Sequence, residues 1–148
     1  MRKILTKIFL CAAAAAVLLA LSVPIVNDLH VYRAERRLCS LPLPAGAEIV
    51  DSLSAAGKLT GNGNGMQYFA AILLRADASP EELEAHYAAY RRSPWDAVTT
   101  EQHGTAVECI EHGDMHFDYT PLAGERYYIV YTWADSLPFF AQIDLRGH

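Results

Sequence analysis

An uncharged apolar run, Ile8–Val26, constrains this chain more than any other feature. Its roughly 19 residues span about 28 Å as an α-helix, close to the roughly 30 Å hydrocarbon core of a bilayer. We therefore predict a membrane-inserting helix. The basic residues Arg2, Lys3 and Lys7 precede it with no acidic residue between them, as in both signal peptides and single-span anchors.

Two outcomes stay open for this helix. Cleavage at the small-x-small sequence ending at Ser22 makes the protein secreted, whereas the apolar residues beyond it favour a retained, single-pass anchor. Arg33, Arg36 and Arg37 follow the helix and nearly balance the basic residues before it. Because the first basic flank usually dominates, we expect the N-terminus inside and the domain outside the cell membrane.

The predicted division of the chain is an anchor or signal peptide at 1–26, a juxtamembrane linker at 27–43 and one domain at 44–148. Within the linker, Asn27–Cys39 either extends the helix or forms a stalk. Leu41-Pro42-Leu43-Pro44 then breaks helical structure.

The domain carries a strong negative charge. From Ser40 onward, six basic residues stand against fifteen acidic ones, which gives a net charge of −9. Such a domain is repelled by phosphate backbones, so the charge disfavours nucleic-acid binding. The partners that we expect are the membrane, through residues 8–26, and an envelope protein.

Hydrophobic patterns and turn residues predict an antiparallel sheet with one packed helix. Ser79 and Glu82 form a capping box with Pro80 at the first helical position, which marks the start of the helix. The element order is β-β-α-β-β-β, so the fold class is α+β. The predicted strands are Ala47–Ser54, Met66–Arg75, Thr105–Glu111, Met115–Thr120 and Arg126–Trp133, with a short edge strand at Leu137–Leu145.

The last long strand places bulky groups on both faces of the sheet. Tyr127, Ile129, Tyr131 and Trp133 point one way, and Tyr128 and Val130 the other. One helix covers only part of one face, so the tail at Leu137–Leu145, the stalk or a partner must cover the second. Tyr131 and Trp133 are therefore candidate ligand contacts.

A glycine-asparagine tract is a second candidate binding element, because glycine and asparagine let successive N–H groups face an anion or a carboxylate. The tract lacks the lysine of a phosphate loop, and a turn between two strands explains it equally well. Its residues are Gly61, Asn62, Gly63, Asn64 and Gly65.

Two cysteines outside the apolar run allow different interpretations. Cys39 and Cys109 either pair in an oxidising exterior, closing a loop of about 70 residues worth roughly 4 kcal/mol, or remain free thiols. Cys109 with His112 or His103 is also the one conceivable nucleophile and base combination.

The spacing Cys109-x2-His112-x3-His116 has ligand types that suit zinc but lacks a second ligand pair. No flanking signature accompanies either the metal pattern or the nucleophile. We therefore predict no catalytic residue, no metal and no cofactor.

The runs GKLTGNGNGMQYFAAILL and YYIVYTW…PFF…IDLRGH resemble a family of small uncharacterised bacterial proteins with an N-terminal membrane segment. The resemblance covers most of the domain, and its specific parts are the glycine-asparagine tract and the RGH ending. It implies a membrane-attached domain and transfers no catalytic residue.

Three functional hypotheses follow. The leading one is a membrane-tethered extracytoplasmic binding or interaction module. The second is a secreted hydrolase or transferase using Cys109 with His112 or His103. The third is a structural accessory subunit of a membrane complex, in which the helix Ile8–Val26 makes the contacts.

Overall fold

The computed structural model describes residues 2–61, 65–91 and 97–134, together with Leu137 and Gln142. The elements are α1 (Arg2–Cys39), β1 (Glu48–Gly57), β2 (Gln67–Arg75), α2 (Pro80–Ala88), β3 (Val98–Glu101) and β4 (Tyr127–Trp133). The four strands form one antiparallel sheet in the order β1-β2-β4-β3. Together with the two helices, this sheet confirms the α+β class.

Helix α1 is long enough and apolar enough to span a membrane. Residues 2–21 are exposed along their whole length. Further along, the helix buries one face, with contacts at every third or fourth position as helical geometry requires. The buried residues are Val23, Asn27, Val31, Ala34 and Leu38.

The second half of α1 is therefore part of the domain. Of the two alternatives for Asn27–Cys39, the structure has the helical extension. Ala34 and Leu38 join the main core cluster, and Val31 packs with residues at the ends of β1 and β2. The predicted linker at 27–43 is thus corrected, because its helical part is packed on the sheet and does not separate the apolar run from the domain.

The central strands agree with the prediction. All seven residues of Tyr68–Leu74 in β2 are buried, as expected for an apolar strand covered on both faces. In β4, Tyr128 and Val130 belong to one core cluster, whereas Tyr127 and Ile129 belong to another. We call these the first face and the second face of the sheet.

Helices cover the first face, where Ala34 and Leu38 of α1 pack beside Leu83 and Tyr87 of α2. The capping box of α2 is confirmed, with Ser79 Oγ accepting from the Glu82 N–H at 3.2 Å. Two helices rather than one thus cover this face, because α1 extends beyond the apolar run.

The segment 105–119 packs on the second face. Val107 and Phe117 of this segment are buried against Phe69 and Leu73 of β2. We name it the covering segment. Its alternating apolar residues have the spacing of a strand, but the segment packs on the face of the sheet and is not one of its strands.

The predicted strands Thr105–Glu111 and Met115–Thr120 are therefore wrong. The covering segment contains one isolated bridge, Ala106 to His116, and otherwise turns and loop. The place beside β4 is taken by β3, which the sequence analysis missed because this strand is short and mostly polar.

The predicted edge strand Leu137–Leu145 lies outside the described residues, apart from Leu137 and Gln142. Leu137 packs against Val31 and Ala56, at the end of the domain nearest the apolar run. The Gln142 side chain donates a 2.7 Å hydrogen bond to the Leu137 carbonyl.

Candidate binding cleft

A cleft of about 540 Å³ lies at the open edge of the sheet, beside the end of β1. In the described part of the chain, β1 pairs with β2 alone and is an edge strand. Helix α1 forms one wall of the cleft and the turn at 112–115 forms the other. The lining residues are Asp28, Val31, Ser54, Ala55, Ala56, Gly57, Lys58, Leu59, His112, Gly113, Asp114 and Met115.

The α1 wall is fixed to β1 by Glu35. Its Oε1 atom accepts a 2.7 Å hydrogen bond from the Ser52 hydroxyl, and its Oε2 atom accepts one of 2.6 Å from the Ser54 hydroxyl. Hydrogen bonds to an ionised acceptor are stronger than those between neutral groups. The helix therefore holds a defined position over the edge strand.

The opposite wall is fixed by the turn that follows β1. The Leu59 carbonyl accepts hydrogen bonds of 2.9 Å from the N–H groups of both Glu111 and His112. The backbone of Gly61 makes two further contacts with the same residues. Its N–H donates to Glu111 Oε2 at 2.8 Å, and its carbonyl oxygen lies 2.7 Å from His112 Nε2. Four contacts thus tie the covering segment to the loop after β1.

Gly61 is the one member of the glycine-asparagine tract whose role the structure defines in detail. Its φ of +65° lies in the left-handed region, which favours glycine. The N–H that we expected to face an anion is bound to a carboxylate of the protein itself, Glu111. Gly65 is exposed, and residues 62–64 lie outside the described part of the chain.

Tyr131 and Trp133 lie away from the cleft, on the second face. The ring centroids of Trp133 and Tyr131 lie 4.9 and 5.6 Å from that of Phe69. Both side chains are half-buried and pack with the cluster beneath the covering segment.

Of the two alternatives for Cys39 and Cys109, the structure has the free thiols. Cys39 packs on the first face and Cys109 on the second, so the sheet lies between them, and both thiols are free. Burial raises the pKa of the Cys109 thiol. A cysteine nucleophile needs a lowered pKa, so the environment of Cys109 disfavours the nucleophilic role.

The histidines of the candidate zinc pattern are engaged separately. His112 Nε2 contacts the Gly61 carbonyl, whereas His116 Nδ1 lies 3.8 Å from Asp114 Oδ1 on the exposed side of the turn. Among the described residues, no group of three or more His, Cys, Asp or Glu side chains is arranged to hold a metal ion.

Glu35 and Gln67 are structural residues of the cleft that the sequence analysis missed. Gln67 Oε1 accepts hydrogen bonds of 2.8 Å from the N–H groups of Leu59 and Thr60, which closes the turn after β1. A signal was present for Gln67, which is the polar residue inside an otherwise apolar run.

The charges around the cleft are mostly acidic. Asp28 and Asp114 stand at the two walls, and Lys58 lies at the end of the floor. Glu35 and Glu111 flank the cleft through the contacts described above. The cleft therefore combines a small, partly apolar floor with acidic walls.

Comparison of the chain with family models, curated proteins and solved structures gives no match.

Proposed function

We propose that this protein is a membrane-anchored binding module, with its domain on the extracytoplasmic side and the cleft beside β1 as its binding site. The observation that carries the proposal is the continuity of α1. The helix passes from the apolar run into the core without interruption, and two of its residues, Asp28 and Val31, line the cleft.

This continuity sets the height of the cleft above a bilayer. At about 1.5 Å per residue, Asp28 and Val31 lie roughly 3 and 8 Å beyond Val26 along the helix axis. The headgroup layer is about 5–7 Å thick on each side of the hydrocarbon core. The cleft therefore opens at or just above the headgroups, where it meets molecules at the membrane surface.

Membrane attachment and orientation are tested by cysteine labelling in intact cells. A membrane-impermeant maleimide is expected to label a Glu81→Cys variant, since Glu81 is exposed on α2, and not a Lys3→Cys variant. The chain is expected to remain in the membrane pellet after an alkaline wash. Recovery of the intact, uncleaved chain in the soluble cytosolic fraction overturns the anchor, and the reverse labelling pattern overturns the orientation.

The binding role is tested with a photo-crosslinking amino acid. We place it at Asp114, on the rim of the cleft, and at Glu81 as an equally exposed control far from the cleft. In native membranes, a discrete adduct is expected at position 114 and not at position 81. Equal labelling at both positions, or none at either, contradicts a binding site in this cleft.

A second candidate, the accessory subunit, has one observation in its favour. Ile25, Leu29 and Tyr32 lie on the face of α1 away from the domain and are 68%, 44% and 54% exposed. These apolar side chains continue the exposed face of the run and suit a neighbouring helix or lipid. Replacing residues 4–22 with an unrelated apolar span separates the two candidates: a binding module keeps its adduct at position 114, whereas an accessory subunit loses its function.

A further inference from the structure

The direction of the backbone groups along β1 follows from the sheet register. In antiparallel pairs, successive residues point their N–H and C=O groups alternately toward and away from a given neighbour. The Tyr68 carbonyl accepts a 2.8 Å hydrogen bond from the Ala134 N–H, so the backbone of Tyr68 points toward β4. Its partner in β1 is Ala56, whose backbone groups therefore point to the open edge.

The same alternation fixes the neighbouring positions. Ser54 and Ser52 precede Ala56 by two and four residues, so their backbone groups also point outward. The outward N–H of Ser52 is already bound, because it donates to Asp51 Oδ1 at 2.7 Å. In the described part of the chain, no hydrogen bond outside the ladder satisfies the backbone of Ser54 or Ala56, and both residues line the cleft.

Among the residues that the structure describes, this part of the edge also lacks the usual protection. Edge strands are commonly blocked by bulges, prolines or inward lysines. In β1 the register shift lies at the far end, between Ile49 and Asp51, and Lys58 follows the last residue of the strand. Between them, the floor of the cleft consists of small residues only, of which Ser54 is half-buried and Ala56, 7% exposed, lies deeper. The floor is Ser54, Ala55, Ala56 and Gly57.

The charges favour one kind of occupant. Asp114 lines the cleft and the carboxylates of Glu35 and Glu111 flank it, whereas Lys58 is the one lysine or arginine in the described lining. A peptide with basic side chains complements these walls. A second copy of this domain does not, because both copies carry a net charge of −9 from Ser40 onward.

We propose that the cleft binds an extended, basic peptide segment by β-strand addition, in which the backbone of the peptide pairs with the outward N–H and C=O groups of Ser54 and Ala56. The inference rests on the proposed binding function and names the class of ligand. Main-chain pairing supplies the affinity in this mode, and the walls supply the selectivity.

The test uses the full chain in phosphatidylcholine nanodiscs and short, blocked, fluorescent peptides. The first probe alternates valine and threonine with lysine, and the second carries glutamate in place of lysine. Two further probes are N-methylated on alternate amides, in the two possible registers. Because alternate amides of an extended peptide point to opposite edges, one probe keeps the N–H donors that face β1 and the other loses them. Binding is read from fluorescence anisotropy.

The variants are Ser54→Pro and Ser52→Pro. Each removes an outward N–H and one hydroxyl bond to Glu35, and proline is tolerated where the N–H faces away from the ladder. Only position 54 lines the cleft. We expect Ser54→Pro to weaken binding of the lysine peptide by about fivefold or more, the effect of losing one hydrogen bond, and Ser52→Pro to leave it unchanged. Ser54→Ala, which keeps the N–H, measures the effect of losing the Glu35 contact alone, and Ser54→Pro is expected to weaken binding more than Ser54→Ala does.

The inference stands if the lysine peptide binds more tightly than the glutamate peptide, and if one of the two N-methylated probes loses binding while the other keeps it. Equal binding of all probes overturns it, because strand addition requires the amides. The inference is also overturned if a chain that ends at Leu137 binds the peptide and the full chain does not, because the cleft then binds the protein's own C-terminal residues. It is overturned as well if the protein forms a dimer that blocks peptide binding, because the edge strand then pairs with a second copy. An adduct at position 114 without any peptide binding leaves the proposed function in place and overturns the ligand class alone.

Discussion

The hydroxyl of Tyr68 donates a 3.0 Å hydrogen bond to Oδ1 of Asn27 and joins α1 to β2, a central strand of the sheet. Both side chains are buried, at 1% and 2% exposure. The ring of Tyr68 also meets the ring of His30 edge-on, with centroids 4.9 Å apart. The helix and the sheet therefore share a specific polar contact directly after the apolar run.

The first prediction concerns this contact. Asn27→Ala removes the acceptor of a buried hydrogen bond, which costs about 1–3 kcal/mol of stability. Denaturant unfolding of the full chain in micelles measures the change in unfolding free energy. Arg33→Ala, on an exposed position of the same helix, is the control and is expected to change it by less than about 0.5 kcal/mol. Equal effects of the two variants contradict the prediction.

The second prediction concerns Glu35, whose two carboxylate oxygens bind Ser52 and Ser54. Glu35→Ala is expected to destabilise the domain by about 1–2 kcal/mol, because two charge-assisted hydrogen bonds are lost at a partly exposed site. Glu108→Ala, at an exposed position of the covering segment, is the control. A stability change no larger than that of the control shows that Glu35 does not hold the edge strand.

Local signals in the sequence predicted the elements that local chemistry determines. The capping box at Ser79 and Glu82 defines the start of α2 without reference to the rest of the chain. The apolar run in β2 and the two-sided pattern of β4 likewise indicate strands covered on both faces. Periodicity was sufficient here because tertiary packing and local pattern favour the same conformation.

Long-range packing determined what the sequence analysis missed. Val107 and Phe117 have the spacing of a strand, yet they cover the second face of the sheet from outside. Periodicity reports that a residue is buried and does not report which surface buries it. Glu35 was missed for a related reason, since its two partners lie 17 and 19 residues away and no local pattern links them.

The third prediction concerns two buried tyrosines with opposite expectations. The Tyr87 hydroxyl is buried with no hydrogen-bond partner among the described residues, and burial raises the pKa of Tyr87 to about 12. Tyr87→Phe is therefore expected to leave stability unchanged or raise it by about 1 kcal/mol. Tyr128 donates to the Ala78 carbonyl at 2.7 Å, so Tyr128→Phe is expected to lower stability by about 1 kcal/mol. Thermal unfolding of both variants compares the signs, and a loss at Tyr87 contradicts the prediction.

The fourth prediction concerns Cys109. Because burial raises the pKa of its thiol, little thiolate is present near pH 8, and alkylation by iodoacetamide is expected to be at least about tenfold slower than for free cysteine. Mass spectrometry of the digested protein follows the rate at this residue, and denaturant is expected to restore it. Rapid labelling of the folded protein instead supports the hydrolase or transferase hypothesis, which requires a reactive Cys109.

The last prediction concerns the acid side of the stability profile. The Tyr127 hydroxyl donates a 2.6 Å hydrogen bond to Glu125, and Arg75 lies 3.3 Å from the same carboxylate. The bond from Tyr127 is the largest cause that lowers the pKa of Glu125 below its ordinary value of 4.5, and the charge of Arg75 adds to it. A carboxyl group with a lowered folded pKa stabilises the protein above its unfolded pKa and loses that contribution as the pH falls through the folded value.

We therefore expect the native chain to lose melting temperature as the pH falls from about 5 to about 3, and Glu125→Gln to lose less over the same window because it has no proton to take up. The site is partly exposed, so the difference is small and decreases in high salt. Calorimetry across this range measures it, with Glu108→Gln as the control for a carboxylate exposed on the covering segment. Identical acid profiles for the native chain and Glu125→Gln contradict the role of the Tyr127 and Arg75 contacts.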